Sequence, residues 1–341
     1  MDVTFGRGYV AVSCTCGRPP PPWPPAAVAA RRRRIANFAA IGVQVLSGSR
    51  FVERSRLSWL GTRPDPEGGR TVEEFLREGW RQGRAALGIW NTIGDSLVAE
   101  AVASLRPDYV CIDMQHGSAS EAQLVPMLQA VTVGGATPIV RVPEANPAAI
   151  MKALDAGAAG VILPLVESAE QAKRAVDACR YPPAGQRSFG PFRSSISAGT
   201  NDPRELEKVA CIAMIETRAG IDHLGEIVAT DGLTAIYLGP SDLSLALGLP
   251  PGSTEAPEFI ATAEKIRSAC AEHGVVAGMH CYDGVTARRA VEQGYGMVTV
   301  AIDLRSLRQA LAAEIAVARG ASQAGRPPVE EEAEEPGEGR P

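Results

Sequence analysis

Between residues 72 and 320, short apolar runs of strand length alternate eight times with longer amphipathic segments of helix length, an order that few folds accommodate. The runs cover residues 85–90, 109–115, 138–142, 160–165, 210–215, 235–238, 275–279 and 297–302. Helical spacing marks 95–105, 119–131, 147–156, 169–178, 221–229, 257–273, 285–293 and 304–318. Runs such as Gly160-Val-Ile-Leu-Pro-Leu are apolar throughout, which suits a parallel sheet covered on both faces. Eight consecutive units favour a closed α/β barrel, the (β/α)8 or TIM architecture, which uses about 250 residues. A doubly wound open sheet is the alternative, but no Gly-x-Gly-x-x-Gly turn follows the first run, as dinucleotide binding requires.

The flanks differ from this middle. Residues 1–71 hold a proline tract at 19–25, the arginine run 31–34 and a second Pro/Gly-rich stretch at 63–69, a composition expected of a disordered, dispensable extension. Its segment 35–46 is apolar enough for a short helix, and with the arginine run before it leaves a targeting or nucleic-acid role open. Residues 321–341 read as a disordered acidic tail. The net charge of −5 is therefore uneven: residues 1–70 carry eleven Arg against four acids, residues 324–341 six Glu against two Arg, and the middle about −8. A middle so acidic argues against a nucleic-acid surface. The seven cysteines are scattered, several within apolar runs, which fits free thiols in a reducing cytoplasm. No apolar run reaches the roughly 18 residues that span a bilayer, so no membrane partner is expected.

In a barrel of this type the active site is built at the C-terminal ends of the strands. There the sequence places Asp113 and His116, Arg141, Glu216, and the turn Gly239-Pro-Ser-Asp242. Glu216 and Asp242 end adjacent strands, and two like charges converging on one mouth call for a cation. Oxygen-only ligands point to Mg²⁺, with Mn²⁺ or Co²⁺ as substitutes. The plainer alternative is that each carboxylate caps the helix that follows it. The N–H groups of Gly239, Ser241 and Asp242 suit a small anion beside the metal. His116 stands where a proton-transfer group is needed, although a histidine there also serves structure. Arg141 is a fixed cation able to stabilise an oxyanion, or the half of a rim ion pair. His280 ends the seventh run and is placed to line the pocket, whereas His223 and His273 fall in helical segments.

The phrases Ile112-Asp-Met-Gln-His-Gly, Val140-Arg-Val-Pro, Leu154-Asp-Ala-Gly-Ala, Val161-Ile-Leu-Pro, Tyr181-Pro-Pro-Ala-Gly-Gln-Arg-Ser-Phe-Gly-Pro, Ile215-Glu-Thr and Leu238-Gly-Pro-Ser-Asp-Leu-Ser occur in this order. Together they make residues 88–303 resemble the HpcH/HpaI class II aldolases. The resemblance implies a TIM barrel of the phosphoenolpyruvate/pyruvate type that cleaves 4-hydroxy-2-oxo acids to pyruvate and an aldehyde. It implies further that Glu216 and Asp242 bind the divalent metal and that Gly239 and Ser241 hold the substrate carboxylate. Arg141 would steady the enolate oxygen, and His116 would be the base, paired with Asp155. It also implies a homo-hexamer in which the 304–318 helix packs on a neighbour. Three positions depart from the family pattern: Gln115 where Glu is usual before the histidine, Met214 where Gln is usual, and Ser188 beside Arg187. The lysines are few and none ends a strand, so no Schiff base is called for.

Two other readings remain. One is a citrate-lyase-like acyl-CoA lyase on the same barrel, which needs a basic CoA surface that Arg141, Arg187 and Arg193 scarcely supply. The other is a non-catalytic oxo-acid-binding barrel, suggested by Gln115 and Met214.

Overall fold

The computed structural model describes residues 78–320. The extension, residues 72–77 of the expected barrel segment and the acidic tail lie outside them, and with them the expected 35–46 helix. Eight parallel strands close into a barrel in sequence order, β8 pairing back to β1. They are β1 (Ala86–Asn91), β2 (Tyr109–Asp113), β3 (Thr137–Arg141), β4 (Gly160–Leu163), β5 (Ala210–Ile215), β6 (Ala235–Leu238), β7 (Val276–Met279) and β8 (Met297–Ile302). The connecting helices are α1 (Ser96–Ser104), α2 (Glu121–Val133), α3 (Pro147–Asp155), α4 (Ala169–Cys179), α5 (Ser194–Ala198), α6 (Pro203–Leu206), α7 (Arg218–Asp222), α8 (Leu224–Val228), α9 (Pro240–Ala246), α10 (Pro257–Glu272), α11 (Gly284–Glu292) and α12 (Asp303–Ala318). The open-sheet alternative is thereby excluded.

The alternation of side chains along a strand divides the apolar residues into two cores. One parity, with Val110, Ile112, Val140, Leu163, Ala213 and Val298, packs outward against the helices. The other, with Trp90, Tyr109, Cys111, Ile139, Ile212, Met214 and Tyr237, fills the barrel. Both sets are buried, which is why the strands read as continuous apolar runs.

Boundaries moved where a side chain captured the backbone. β2 stops at Asp113 rather than 115, because the Asp113 carboxylate accepts the N–H groups of Gln115 and His116 and turns the chain. β4 stops at Leu163 because Leu165 takes a left-handed φ of 54°. The expected 221–229 helix is two short ones meeting at His223, and α5, α6 and α9 were not anticipated from periodicity, being seven residues or fewer.

In the barrel centre the hydroxyls of Tyr109 and Tyr237 lie 3.3 Å apart, and Thr299 Oγ1 is 2.5 Å from the Tyr237 hydroxyl. Two glycines make room for these rings. A Cβ on Gly88 would fall 2.0 Å from Tyr109 Cζ, and one on Gly278 would fall 2.5 Å from Tyr237 Cδ2. Gly88→Ala is therefore expected to destabilise the barrel by at least the upper end of the roughly 1–3 kcal/mol typical of overpacking. Urea unfolding measures this, and a variant as stable as wild type would show that the rings are free to move.

Candidate active site

The inward parity of each strand continues to its C-terminal end, so the last inward residues form the barrel mouth. β1 supplies Trp90, β2 Asp113 and β3 Arg141; just past β5, β6 and β7 stand Glu216, Gly239 and His280.

Asp113 and Arg141 are register partners on adjacent strands. Both are buried, and they form a bidentate pair: Arg141 Nε donates to Asp113 Oδ1 at 2.9 Å and Nη2 to Oδ2 at 2.6 Å. Trp90 Nε1 also donates to Oδ2 at 3.2 Å, and the guanidinium carbon lies 5.1 Å from the Trp90 ring centroid. Burial alone would raise the Asp113 carboxyl, but the bonds from Arg141, His116 N–H and Trp90 hold it below its ordinary value. Burial likewise opposes the Arg141 charge, and the Asp113 partner more than restores it. Arg141 is thus a permanent cation at the mouth, partnered on the β2 side.

Glu216 is 2% exposed and only half satisfied. Its Oε1 accepts the Leu165 N–H at 2.9 Å, an interaction that the left-handed Leu165 backbone presents, while Oε2 is buried with no hydrogen-bond partner among the described residues. Burial is the main reason its pKa rises to about 7; the neighbouring Asp242 carboxylate adds to the shift, and the Leu165 N–H and Arg141 oppose it. A Cβ on Gly239 would lie 2.2 Å from Glu216 Oε2 and 2.9 Å from Met214 Cε, so only glycine lets the turn close over that oxygen.

Neither carboxylate caps the helix after it. Thr217 caps α7 by accepting the Gly220 N–H, and α9 begins at Gly239 without any side-chain cap, Asp242 lying in its first turn. The first-turn N–H groups of α9 have no intrahelical acceptor, and the helix starts from Gly239, the residue that stands against Glu216. Among the described residues no three His, Cys, Asp or Glu cluster as a complete metal site. A hard divalent cation at Glu216 and Asp242 would thus be completed by water and substrate oxygens, and an orphaned buried carboxylate oxygen suits that role.

One wall of the mouth is aromatic. His280 meets Trp90 edge-on at 4.8 Å and Tyr282 at 5.4 Å, and Tyr282 OH lies 2.7 Å from Ser241 Oγ. Burial, with Arg141 nearby, lowers the His280 pKa to about 4, so its ring is neutral at physiological pH. His280 lines the site as its strand-end position suggested, and His223 and His273 are exposed on or beside helices.

His116 and Asp155 are not brought together within the chain. His116 is exposed on the β2–α2 loop and faces a cleft shared with Thr92 and the start of α12. Asp155 ends α3, which runs away from the mouth, and its carboxylate accepts from Arg187 Nη2 at 2.8 Å. The expected His116–Asp155 pair is therefore corrected for the single chain: the two lie at opposite ends of the barrel. Arg187, fully buried, also donates to Leu206 O and stacks 4.7 Å from the Tyr181 ring centroid, so the loop containing Ser188 belongs to that far end rather than to the pocket.

Trp90, Leu165, Tyr282 and Asp303 were missed. Asp303 accepts from Asn91 Nδ2, Thr92 N, Thr92 Oγ1 and Ile93 N, clamping the β1–α1 loop to the start of α12. A lone acid after the last strand was the only signal for it; Leu165 gave none.

The chain matches the family model described as HpcH/HpaI aldolase/citrate lyase over residues 87–310. It is 40% identical to the hydroxypyruvate/pyruvate aldolase of Rhizorhabdus wittichii over 72% of its own length and 98% of that protein. It is 35% identical to the 2-dehydro-3,6-dideoxy-6-sulfogluconate aldolase of Pseudomonas putida, covering 70% and 94%. Among solved structures, an HpcH/HpaI aldolase/citrate lyase family protein from Burkholderia cenocepacia superposes with a TM-score of 0.65 at 29% identity, covering 73% of this chain and 99% of that one.

Removing one half of a buried charge pair strands the other. Asp113→Asn is expected to lower stability by about 3–5 kcal/mol, whereas Asp113→Asn combined with Arg141→Met loses less. Equal losses in urea titrations of the two variants would mean that Arg141 finds another partner.

Proposed function

This chain belongs to the HpcH/HpaI aldolase/citrate lyase family, and we propose that it is a divalent-metal-dependent aldolase that reversibly cleaves 4-hydroxy-2-oxo acids to pyruvate and an aldehyde. The observation that carries this is the buried, unpartnered Oε2 of Glu216 beside Asp242 at the start of α9. Its relatives from R. wittichii and P. putida are named aldolases, which supports carbon–carbon bond cleavage.

Glu216 and Asp242 would hold the cation, Mg²⁺, Mn²⁺ or Co²⁺. When bound, it supplies a Lewis acid for the charge that develops on the oxo oxygen. The N–H groups of Gly239 and Ser241 bind the substrate carboxylate at the α9 N-terminus. Arg141, held in place by Asp113 and Trp90, stabilises the oxyanion that forms as the C3–C4 bond breaks. The electron pair stays on the three-carbon fragment, which takes up a proton to give pyruvate; the C4 hydroxyl releases its proton, through water to His116, and leaves as the aldehyde. No lysine ends a strand, so the carbonyl is activated without a Schiff base. Met214 puts a thioether where family members carry an amide, leaving the floor beside Glu216 apolar and favouring a neutral carboxyl until a cation arrives.

The exposed stripe Leu304, Leu307, Leu311 and Ile315 on α12 supports assembly with further copies, a hexamer by family resemblance. The five described cysteines are free and buried, in keeping with a cytoplasmic setting, and no described helix is long and apolar enough to cross a membrane.

Pyruvate release from a panel of 4-hydroxy-2-oxo acids, with and without each cation, tests the proposal. Metal-dependent release that Glu216→Ala abolishes is expected, and release without metal, or none across the panel, overturns it. Cation binding is also expected to be proton-linked. Below pH about 7 a cation must displace the Glu216 proton, so Mn²⁺ affinity should rise up to about tenfold per pH unit from pH 5 and level off above 7. Calorimetric titration at several pH values measures this, and a pH-independent affinity would place the ion elsewhere.

A further inference from the structure

We propose that Cys179 and Cys211 form a paired oxidation site, at which a peroxide converts two buried thiols into one reversible disulfide that staples the end of α4 to β5. Cys211 is the second residue of β5, at the end of the barrel opposite Glu216, so the inference does not rest on the reaction assigned to the mouth.

Cys179 is the last residue of α4, and Cys211 lies on the parity of β5 that faces the helices. The helix packs on the strand, which brings both residues into the outer core. Together with Val176, Arg180 and Gly232 they line one cleft of about 410 Å³. The two are only 3% and 1% exposed, and this cleft is the route by which a molecule of peroxide size reaches them. The thiols are partners of one another: contact with Cys179, ahead of burial, pushes the Cys211 thiol well above its usual range, and Arg180 opposes the rise. Gly232 has a φ of 91°, and a Cβ there would fall 2.2 Å from Arg180 Nη2, so its bare backbone lets the guanidinium lie at the cleft. Asp231 holds it there at 3.5 Å. No second thiol acts on Cys111, Cys270 or Cys281, which leaves this as the pair among the described cysteines.

Cys211 keeps its proton, so Cys179 makes the first attack as its thiolate. Its sulfur takes one oxygen of hydrogen peroxide as the O–O bond breaks, giving a sulfenic acid and, with the proton that Cys179 gave up, water. The Cys211 sulfur then attacks the sulfenic sulfur. The S–S bond forms, the S–O bond breaks, and the departing hydroxide leaves as water with the Cys211 proton. Two thiols and one hydrogen peroxide thus give one disulfide and two waters, and a thiol reductant reverses the change by exchange. The partner also stops Cys179 short of sulfinic acid, which a sulfenic acid without a resolving thiol goes on to form. The disulfide closes residues 179–211 into a loop, and with it the connection that carries α5, α6 and Arg187.

Peptide mapping of the full-length chain tests the inference. The chain is treated with hydrogen peroxide at a dose that oxidises free cysteine completely in parallel, then alkylated and cut with trypsin without reductant. Residues 175–180 joined to residues 209–218 should be the main fate of Cys179, lighter by two hydrogens than the two peptides together. Dithiothreitol should return both thiols. In urea, where the fold no longer holds the two sulfurs together, the same treatment should spread the linkage over other cysteines. The oxidised chain should melt about 5 °C or more above the reduced one, a difference that Cys179→Ala and Cys211→Ala each abolish. In Cys211→Ala, Cys179 should go on to sulfinic acid. The site is overturned if both wild-type peptides return as separate alkylated thiols, if wild-type Cys179 reaches sulfinic acid as readily as in Cys211→Ala, or if the same pair links equally well in urea. A linked chain that melts no higher than the reduced one overturns the staple. The wild-type map needs no variant, so a substitution that folds poorly does not decide the outcome.

Discussion

The Asp113 carboxylate organises the mouth of this barrel. It accepts the fork of Arg141 from β3, the indole N–H of Trp90 from β1 and the two N–H groups that turn its own chain after β2. Three adjacent strands are tied at one buried charge. Such a pair adds little net stability over an apolar substitute, because both ions are stripped of water. What it supplies is position: the Arg141 guanidinium is fixed against the Trp90 ring and the His116 backbone is fixed on the loop edge, before any ligand arrives.

Across the mouth the electrostatics are reversed. Glu216 is as deeply buried as Asp113, yet one of its oxygens has no donor, and its neighbour Asp242 is a second carboxylate. Asp113 stays ionised because its partner is built in, and Glu216 is pushed toward neutrality because its partner is not. The difference lies in what each strand places at its end: β3 offers an arginine in register with Asp113, whereas β6 offers Gly239, whose missing Cβ leaves room and no charge. One side of the mouth is finished by the chain, and the other side keeps a buried carboxylate oxygen without a donor.

Much of this was legible in the sequence. Continuous apolar runs separated by helical segments dictated a parallel barrel, and the rule that strand ends carry the chemistry picked out Arg141, Glu216 and the Gly239–Asp242 turn, residues that do meet in space. Side-chain partners at the strand ends were not legible. That Arg141 faces Asp113, and that Tyr282 reaches Ser241, follows from barrel register and loop path, which no local pattern encodes. The His116–Asp155 pair, which the family resemblance implies, does not form within one chain, for a related reason. Asp155 ends α3, and a helix of nine residues carries its last residue to the end of the barrel opposite the loop after β2.

The last helix shows how one segment can satisfy two unrelated constraints. Asp303, its first residue and the only buried one in it, gathers four donors from the end of β1 and the loop after it, so the helix start is fixed relative to the mouth whatever happens to the rest. Beyond that anchor the barrel holds α12 weakly: Leu304, Leu307, Leu311 and Ile315 remain about half exposed. An amphipathic helix normally turns such a stripe toward its own core. Here Leu304 and the face bearing Arg305, Arg308 and Gln309 border the cleft beside His116, and Leu307, Leu311 and Ile315 stay open. Because Asp303 sets the rotation of the helix, it decides which side chains reach the cleft and which are left for contact with another surface. A change that loosened Asp303 would move both together, which links the shape of the cleft beside His116 to the exposed apolar face through a single carboxylate.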